Sequence, residues 1–103
     1  MATLLDSFKK IISSQDKKIK EIKIQFISFD EQVVAKEKHI IVNHSKNLFF
    51  GQISFCEPNN FTAEICIEED LGMIYHHHFL ARSENDLAMG VQAYFDFLSD
   101  SNS

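Results

Sequence analysis

Two cysteines, one proline, three glycines and no tryptophan leave this sequence short of several devices that small proteins use. Cys56 and Cys66 are too few for the disulfide framework of a small secreted domain. Gly51, Gly72 and Gly90 stand far apart, so there is no glycine-rich loop to cradle a phosphate. Nucleotide-binding, hydrolase and metalloprotease motifs are also missing. No segment approaches the roughly eighteen consecutive apolar residues of a membrane span. Residues 1–14 place Asp6 ahead of their lysines and contain no long apolar stretch, unlike a signal peptide. The expected compartment is the cytoplasm, with no membrane association and no cofactor.

What remains is enough for an ordinary core. The chain has 103 residues, close to the commonest size of one domain, and 45% of them are hydrophobic. Ten Phe against two Tyr point to a core of apolar rings. One domain over residues 1–103 is expected, with 100–103 a polar tail. The net charge is −5, but it is unevenly spread. Residues 1–56 sum to +3 and residues 57–103 to −8, the latter with nine acids against Arg82 alone. An acidic half argues against nucleic acid, which needs a basic footprint, and for a basic protein partner.

The hydrophobic period changes twice along the chain. Residues 3–14 form an amphipathic helix with Leu4, Leu5, Phe8, Ile11 and Ile12 on one stripe and Thr3 as N-cap. Lys9 and Lys10 suit the negative C-terminal end of its dipole. From residue 19 to 80 the period is two, with strands expected at about 19–29, 33–42, 48–56, 61–68 and 73–80. The breaks are Asp30-Glu31-Gln32, residues 43–47, 57–60 and 69–72, each of hairpin length. Gly72 is expected in a left-handed conformation, setting a register that puts Glu64 opposite His76. That register also places Met73, Tyr75, His77 and Phe79 on the face of Phe61, Ala63, Ile65 and Ile67. On the first strand, apolar side chains point both ways, so that end of the sheet is expected to be covered on two sides. Residues 83–98 form a second helix, capped by Ser83, with Leu87, Val91, Tyr94, Phe95 and Leu98 as its buried stripe. The fold class is α+β: an N-terminal helix, a five-stranded antiparallel meander, and a C-terminal helix packed on the sheet.

Three features invite a chemical reading. In His76-His77-His78, the first and third imidazoles share a strand face about 7 Å apart, a usable spacing for two ligands of one metal. With Glu64 opposite and Cys66 one step along, a small metal-dependent module on His76, His78 and Glu64 is one alternative. The adjacent pair falls short of a complete ligand set, so no metal is expected. Neither thiol has the electropositive setting of a nucleophile, because Cys66 lies between Glu64 and Glu68 and Cys56 abuts Glu57. Both are read as small fillers. The acids themselves remain. Asp96 and Asp100 lie at the disfavoured end of the last helix dipole, each costing a few tenths of a kcal/mol. Glu64, Glu68, Glu69 and Asp70 cluster around one hairpin, where they would speed encounter with a basic partner.

The stretch LGMIYHHHFLARSENDLAMGVQAYFDFL, a final strand and then a Ser-capped amphipathic helix, covers about a quarter of the chain. In an acidic chain of this length it resembles small bacterial immunity proteins. The resemblance implies a non-enzymatic inhibitor that caps a basic toxin domain, such as a nuclease, and carries over no site residues. The acidic hairpin and its register make Glu64, Glu68, Glu69, Asp70, His76 and His78 the expected partner-binding residues. Phage-encoded inhibitors of bacterial defence complexes share the same size and acidity. A third expectation is a structural subunit that dimerises through an open sheet edge.

Overall fold

The structure is a computed structural model that describes residues 3–15, 24–46, 48–67 and 72–100. In chain order these form α1 (Leu4–Ser14), β1 (Gln25–Val34), β2 (Glu37–Lys46), β3 (Phe49–Cys56), β4 (Asn60–Ile67), β5 (Gly72–Leu80) and α2 (Glu84–Asp100). The strands make one antiparallel sheet in the order β1-β2-β3-β4-β5, the expected meander. Residues 19–23 of the first expected strand, Glu68, Glu69, Asp70 and the tail beyond residue 100 lie outside the described residues.

Both helices start where the sequence says they should. Thr3 Oγ1 accepts from the Asp6 amide at 3.1 Å, and Asp6 Oδ2 accepts from the Thr3 amide at 3.3 Å, closing a reciprocal capping box. The last turn of α1 carries no basic side chain, so Lys9 and Lys10 do not act at its C-terminus. Lys9 instead pairs with Glu31 of β1 at 2.8 Å. At α2, Ser83 Oγ accepts from the Asp86 amide at 3.3 Å, and Asp86 Oδ2 accepts from the Arg82 amide at 2.8 Å.

The two helices lie side by side on one face of the sheet. Leu5, Phe8 and Ile12 of α1 join Leu87, Val91, Tyr94, Phe95 and Leu98 of α2 over Ile40, Val42, Ile53, Phe55, Phe61, Ala63 and Ile65. Phe8 stacks on Phe55 at 5.5 Å and meets Phe61 edge-on at 6.3 Å. Burying the five large side chains of α2 contributes on the order of 10 kcal/mol before chain entropy is subtracted. Gly90 is what lets α2 settle onto β5. A Cβ there would come within 2.9 Å of the Phe79 ring and 3.0 Å of Phe61.

The first hairpins differ from the expectation. β1 runs straight through Asp30-Glu31-Gln32, and the chain turns at Ala35 and Lys36, with φ of 51° and 69°. Two consecutive positive φ values make the primed two-residue turn that fits strand twist, a position usually held by Asn-Gly. Ala-Lys gives no such signal. β2 likewise continues through Asn43, His44, Ser45 and Lys46, because the side chain of Asn43 bonds to its neighbours across the sheet rather than turning the chain. Nor is the β1 end covered on two sides: Phe26, Ile27, Phe29, Val33 and Val34 are exposed.

The later hairpins follow the expected register. Glu64 faces His76, Thr62 faces His78 and Phe61 faces Phe79. Gly72 opens β5 without a positive φ, so it is not the left-handed turn residue expected. A bulge between Ile65 and Cys66 puts Met73 opposite Cys66, which moves Met73 off the core face and leaves it 52% exposed.

Candidate functional site

The helices cover one face of the sheet, and the register fixes what the other face presents. Pairing runs from Ser28 to Asn43, Gln52, Glu64 and His76, one residue per strand across all five. Part of this row is tied together. Asn43 Nδ2 donates to Ser28 Oγ at 3.0 Å, and Gln52 Nε2 donates to Asn43 Oδ1 at 3.0 Å. A second row runs Asp30, Ile41, Ser54, Thr62, His78, and a third runs Gln32, His39, Cys56, Asn60, Leu80. Glu37 is two residues before His39 on β2 and shares its face.

Among the described residues, the charged groups of the open face are therefore of one sign, set among polar side chains and the apolar Ile41, Phe50 and Leu80. Its strand positions include Asp30, Glu37 and Glu64, three imidazoles in His39, His76 and His78, and no Lys or Arg. Lysines that could have balanced it are used elsewhere. Lys9 is paired with Glu31 on the helix side, and Lys46 donates to the carbonyl of Ser99 at the end of α2.

Of the expected site residues, Glu64, His76 and His78 do come together on this face. No hydrogen bond or ion pair joins Glu64 to His76, although they are register partners. Glu68, Glu69 and Asp70 fall outside the described residues. The middle imidazole, His77, points to the helix side, tilted against Phe79 at 5.0 Å and edge-on to Phe61 at 6.3 Å. There it lines an open, mainly apolar cleft of about 500 Å³ with Leu80, Arg82, Met89 and Ala93. Among the described residues, His76, His78, Glu64 and Cys66 do not make a three-donor cluster, since the bulge carries Cys66 away from the imidazoles.

A different cluster does form. Cys56 ends β3 directly opposite His39, and Cys56 Sγ lies 3.0 Å from His39 Nε2 and 3.7 Å from Glu37 Oε2. The Glu57 carbonyl accepts from the same thiol at 3.3 Å. Partial burial and the carboxylates of Glu37 and Glu57 push the Cys56 thiol above its ordinary value. Cys56, read from the sequence as a small filler, is half-buried and sits within hydrogen-bonding distance of His39 and the Glu57 carbonyl. Glu37 and His39 carry no warning in the sequence, because their meeting with Cys56 depends on where the β2–β3 turn falls.

On the covered side, one polar side chain is fully enclosed. His44 Nδ1 shares a 3.0 Å hydrogen bond with the Tyr94 hydroxyl, while His44 Nε2 has no partner. Phe95 and Phe26 meet its ring edge-on at 5.0 and 6.1 Å. Burial pulls the imidazole down to about 4, so it is neutral at physiological pH. Burial also raises the phenol of Tyr94.

Comparison with known proteins finds no match: no family model, no curated protein and no solved structure corresponds to this chain. Among the described residues no helix is long and apolar enough to cross a membrane.

Proposed function

We propose that the protein is a non-enzymatic binding module that neutralises a basic protein by laying its helix-free sheet face over the partner's active site. The observation that carries this reading is the charge of that face: three acids, three imidazoles and no fixed positive charge across five strands. A sheet face of this kind is broad and rigid, and needs little ordering on binding. Its carboxylates suit a cleft built for phosphate, where they would stand in for phosphate oxygens. A basic toxin domain, such as a nuclease, has a cleft of that kind, in keeping with the resemblance to small immunity proteins. Glu68, Glu69 and Asp70 follow β4 in sequence and add to the negative charge of the chain.

The test begins with co-purification from the native host, followed by binding kinetics with the recovered partner at two salt concentrations. Association should be fast and should slow steeply as salt rises. Changing Asp30 and Asp70 to Asn, and Glu64, Glu68 and Glu69 to Gln, should mainly lower the on-rate. Any acid paired at the buried centre should cost about 2–5 kcal/mol through faster dissociation. An affinity indifferent both to salt and to these changes would remove the acidic face from the mechanism.

A further inference from the structure

We propose that Glu37, His39 and Cys56 form a zinc site at the end of the sheet where the β1–β2 and β3–β4 turns meet. The proposal stands apart from the binding-module reading and rests on three donors that the fold itself brings together. One ligand atom from each of Glu37, His39 and Cys56 lies within 4.8 Å of the other two. They offer oxygen, nitrogen and sulfur, a mixed set that suits a borderline ion such as Zn²⁺ better than a hard cation.

The spacing fits one tetrahedral ion. Zinc–sulfur and zinc–nitrogen bonds of about 2.3 and 2.0 Å place the two ligand atoms roughly 3.6 Å apart, and a carboxylate oxygen falls at a similar distance from sulfur. The sulfur–oxygen separation of 3.7 Å already meets this. The sulfur–nitrogen separation of 3.0 Å has to open by about half an ångström. Side-chain rotation of His39 is enough, since it is only half-buried at the sheet surface.

The backbone beneath the site is fixed. The Glu57 amide donates to the Lys38 carbonyl at 2.9 Å, and Glu57 Oε1 accepts from the Lys38 amide at 2.9 Å. These two bonds extend the β2–β3 ladder one step past Cys56, between the two ligands on β2. Glu57 is therefore held by backbone and contributes charge rather than a bond to the ion. A thiolate is repelled by the carboxylates of Glu37 and Glu57, which makes a free nucleophilic cysteine unfavourable here, whereas a divalent cation is attracted by both. Binding releases the Cys56 proton to solvent, leaving thiolate, neutral imidazole and carboxylate on the ion. Solvent water completes the fourth position.

The experiment uses the full chain, reduced and free of any affinity tag, titrated with Co²⁺ and then Zn²⁺. One equivalent of cobalt should bind per chain with a thiolate-to-cobalt charge-transfer band in the near ultraviolet, and zinc should displace it. Cys56→Ser should abolish the band. His39→Gln and Glu37→Gln should each weaken zinc binding by at least the roughly 10–100-fold that losing an outer partner of a metal ligand costs. Cys66→Ser and the double variant His76→Ala/His78→Ala should bind as the parent does. Circular dichroism confirms that each variant folds, and if Cys56→Ser does not, the exposed Glu37→Gln decides. A band that survives Cys56→Ser, that disappears with Cys66→Ser or with the His76/His78 pair, or that never forms would overturn the assignment.

Discussion

Acid should weaken this protein through His44. Its imidazole is wholly enclosed, bonded at Nδ1 to Tyr94 and bordered by Phe26 and Phe95, with Nε2 unpartnered. A proton added there would sit in an apolar pocket with no counter-charge, which is why its folded value falls from 6.5 to about 4. The unfolded chain takes up the proton near pH 6.5, and the native state resists until about 4. Between those limits the unfolded state binds more protons, so stability rises with pH and is lost on acidification. The loss is about 1.4 kcal/mol per pH unit, or about 3 kcal/mol in total, and it levels off below pH 4 where both states are protonated. That is a large share of the roughly 5–15 kcal/mol that holds such a domain folded. Denaturant unfolding of the parent and of His44→Gln, repeated from pH 7.5 to 4, isolates the effect, because the remaining titratable groups contribute equally to both curves. Gln keeps a partner for Tyr94 but does not titrate. The parent's advantage at pH 7 should shrink by about 3 kcal/mol by pH 4, and the His44 ring signals should not titrate above pH 5. Parallel curves, or an imidazole titrating near 6.5, would refute the reasoning.

Other consequences of the packing are as direct. A methyl group on Gly51 would collide with the Tyr94 hydroxyl and lie 2.9 Å from Cζ, so Gly51→Ala should destabilise by about 2–3 kcal/mol in equilibrium unfolding. The penalty should be smaller in a Tyr94→Phe background, giving a clear non-additive cycle. Lys36→Gly should stabilise by about 1 kcal/mol, since residue 36 holds a φ of 69° that glycine adopts freely; an unchanged denaturation midpoint would show that the turn carries no strain. Leu87→Ala, at a fully buried position of α2, should cost about 2–5 kcal/mol with the slope of the denaturation curve unchanged.

The helices and the last three strands were legible because their signals are local. Thr3 with Asp6, and Ser83 with Asp86, announce helix starts in the sequence itself, and the stripe from Leu87 to Leu98 is strictly periodic. The first hairpins were not legible, because the residues that usually mark a turn sit inside strands. Asp30, Glu31 and Gln32 lie opposite Ile41, Ile40 and His39, and Asn43 bonds to Ser28 and Gln52 across the sheet, while Ala35-Lys36 turns the chain without glycine or asparagine. The cost fell on the candidate site. A turn centred on Ser45 would set Cys56 opposite Val34, whereas the actual turn sets it opposite His39. Register shifts of a few residues leave the fold class intact and rearrange every side-chain cluster that depends on pairing. Hence Glu64 and His76, set by the β4–β5 pairing, were placed correctly, and the Glu37–His39–Cys56 group was not foreseen.

The acidic face and the proposed zinc site share one surface, yet their electrostatics can be told apart. Without metal, Glu37 gives the cluster one carboxylate charge beside the Cys56 thiol, whose proton the nearby carboxylates and partial burial hold on. With zinc, the two positive charges of the ion are matched by thiolate and carboxylate, so the cluster becomes neutral. Metal therefore alters the face by a single charge at one end and leaves Asp30 and Glu64 untouched. Cys56→Ser removes a zinc ligand without changing the charge of the metal-free face, while changes at Asp30 and Glu64 remove charge without touching a ligand. A partner that reads only the negative field will respond to the second set and ignore the first. A partner that docks on an ordered β2–β3 end will respond to both, because binding an ion across those strands holds their ends together.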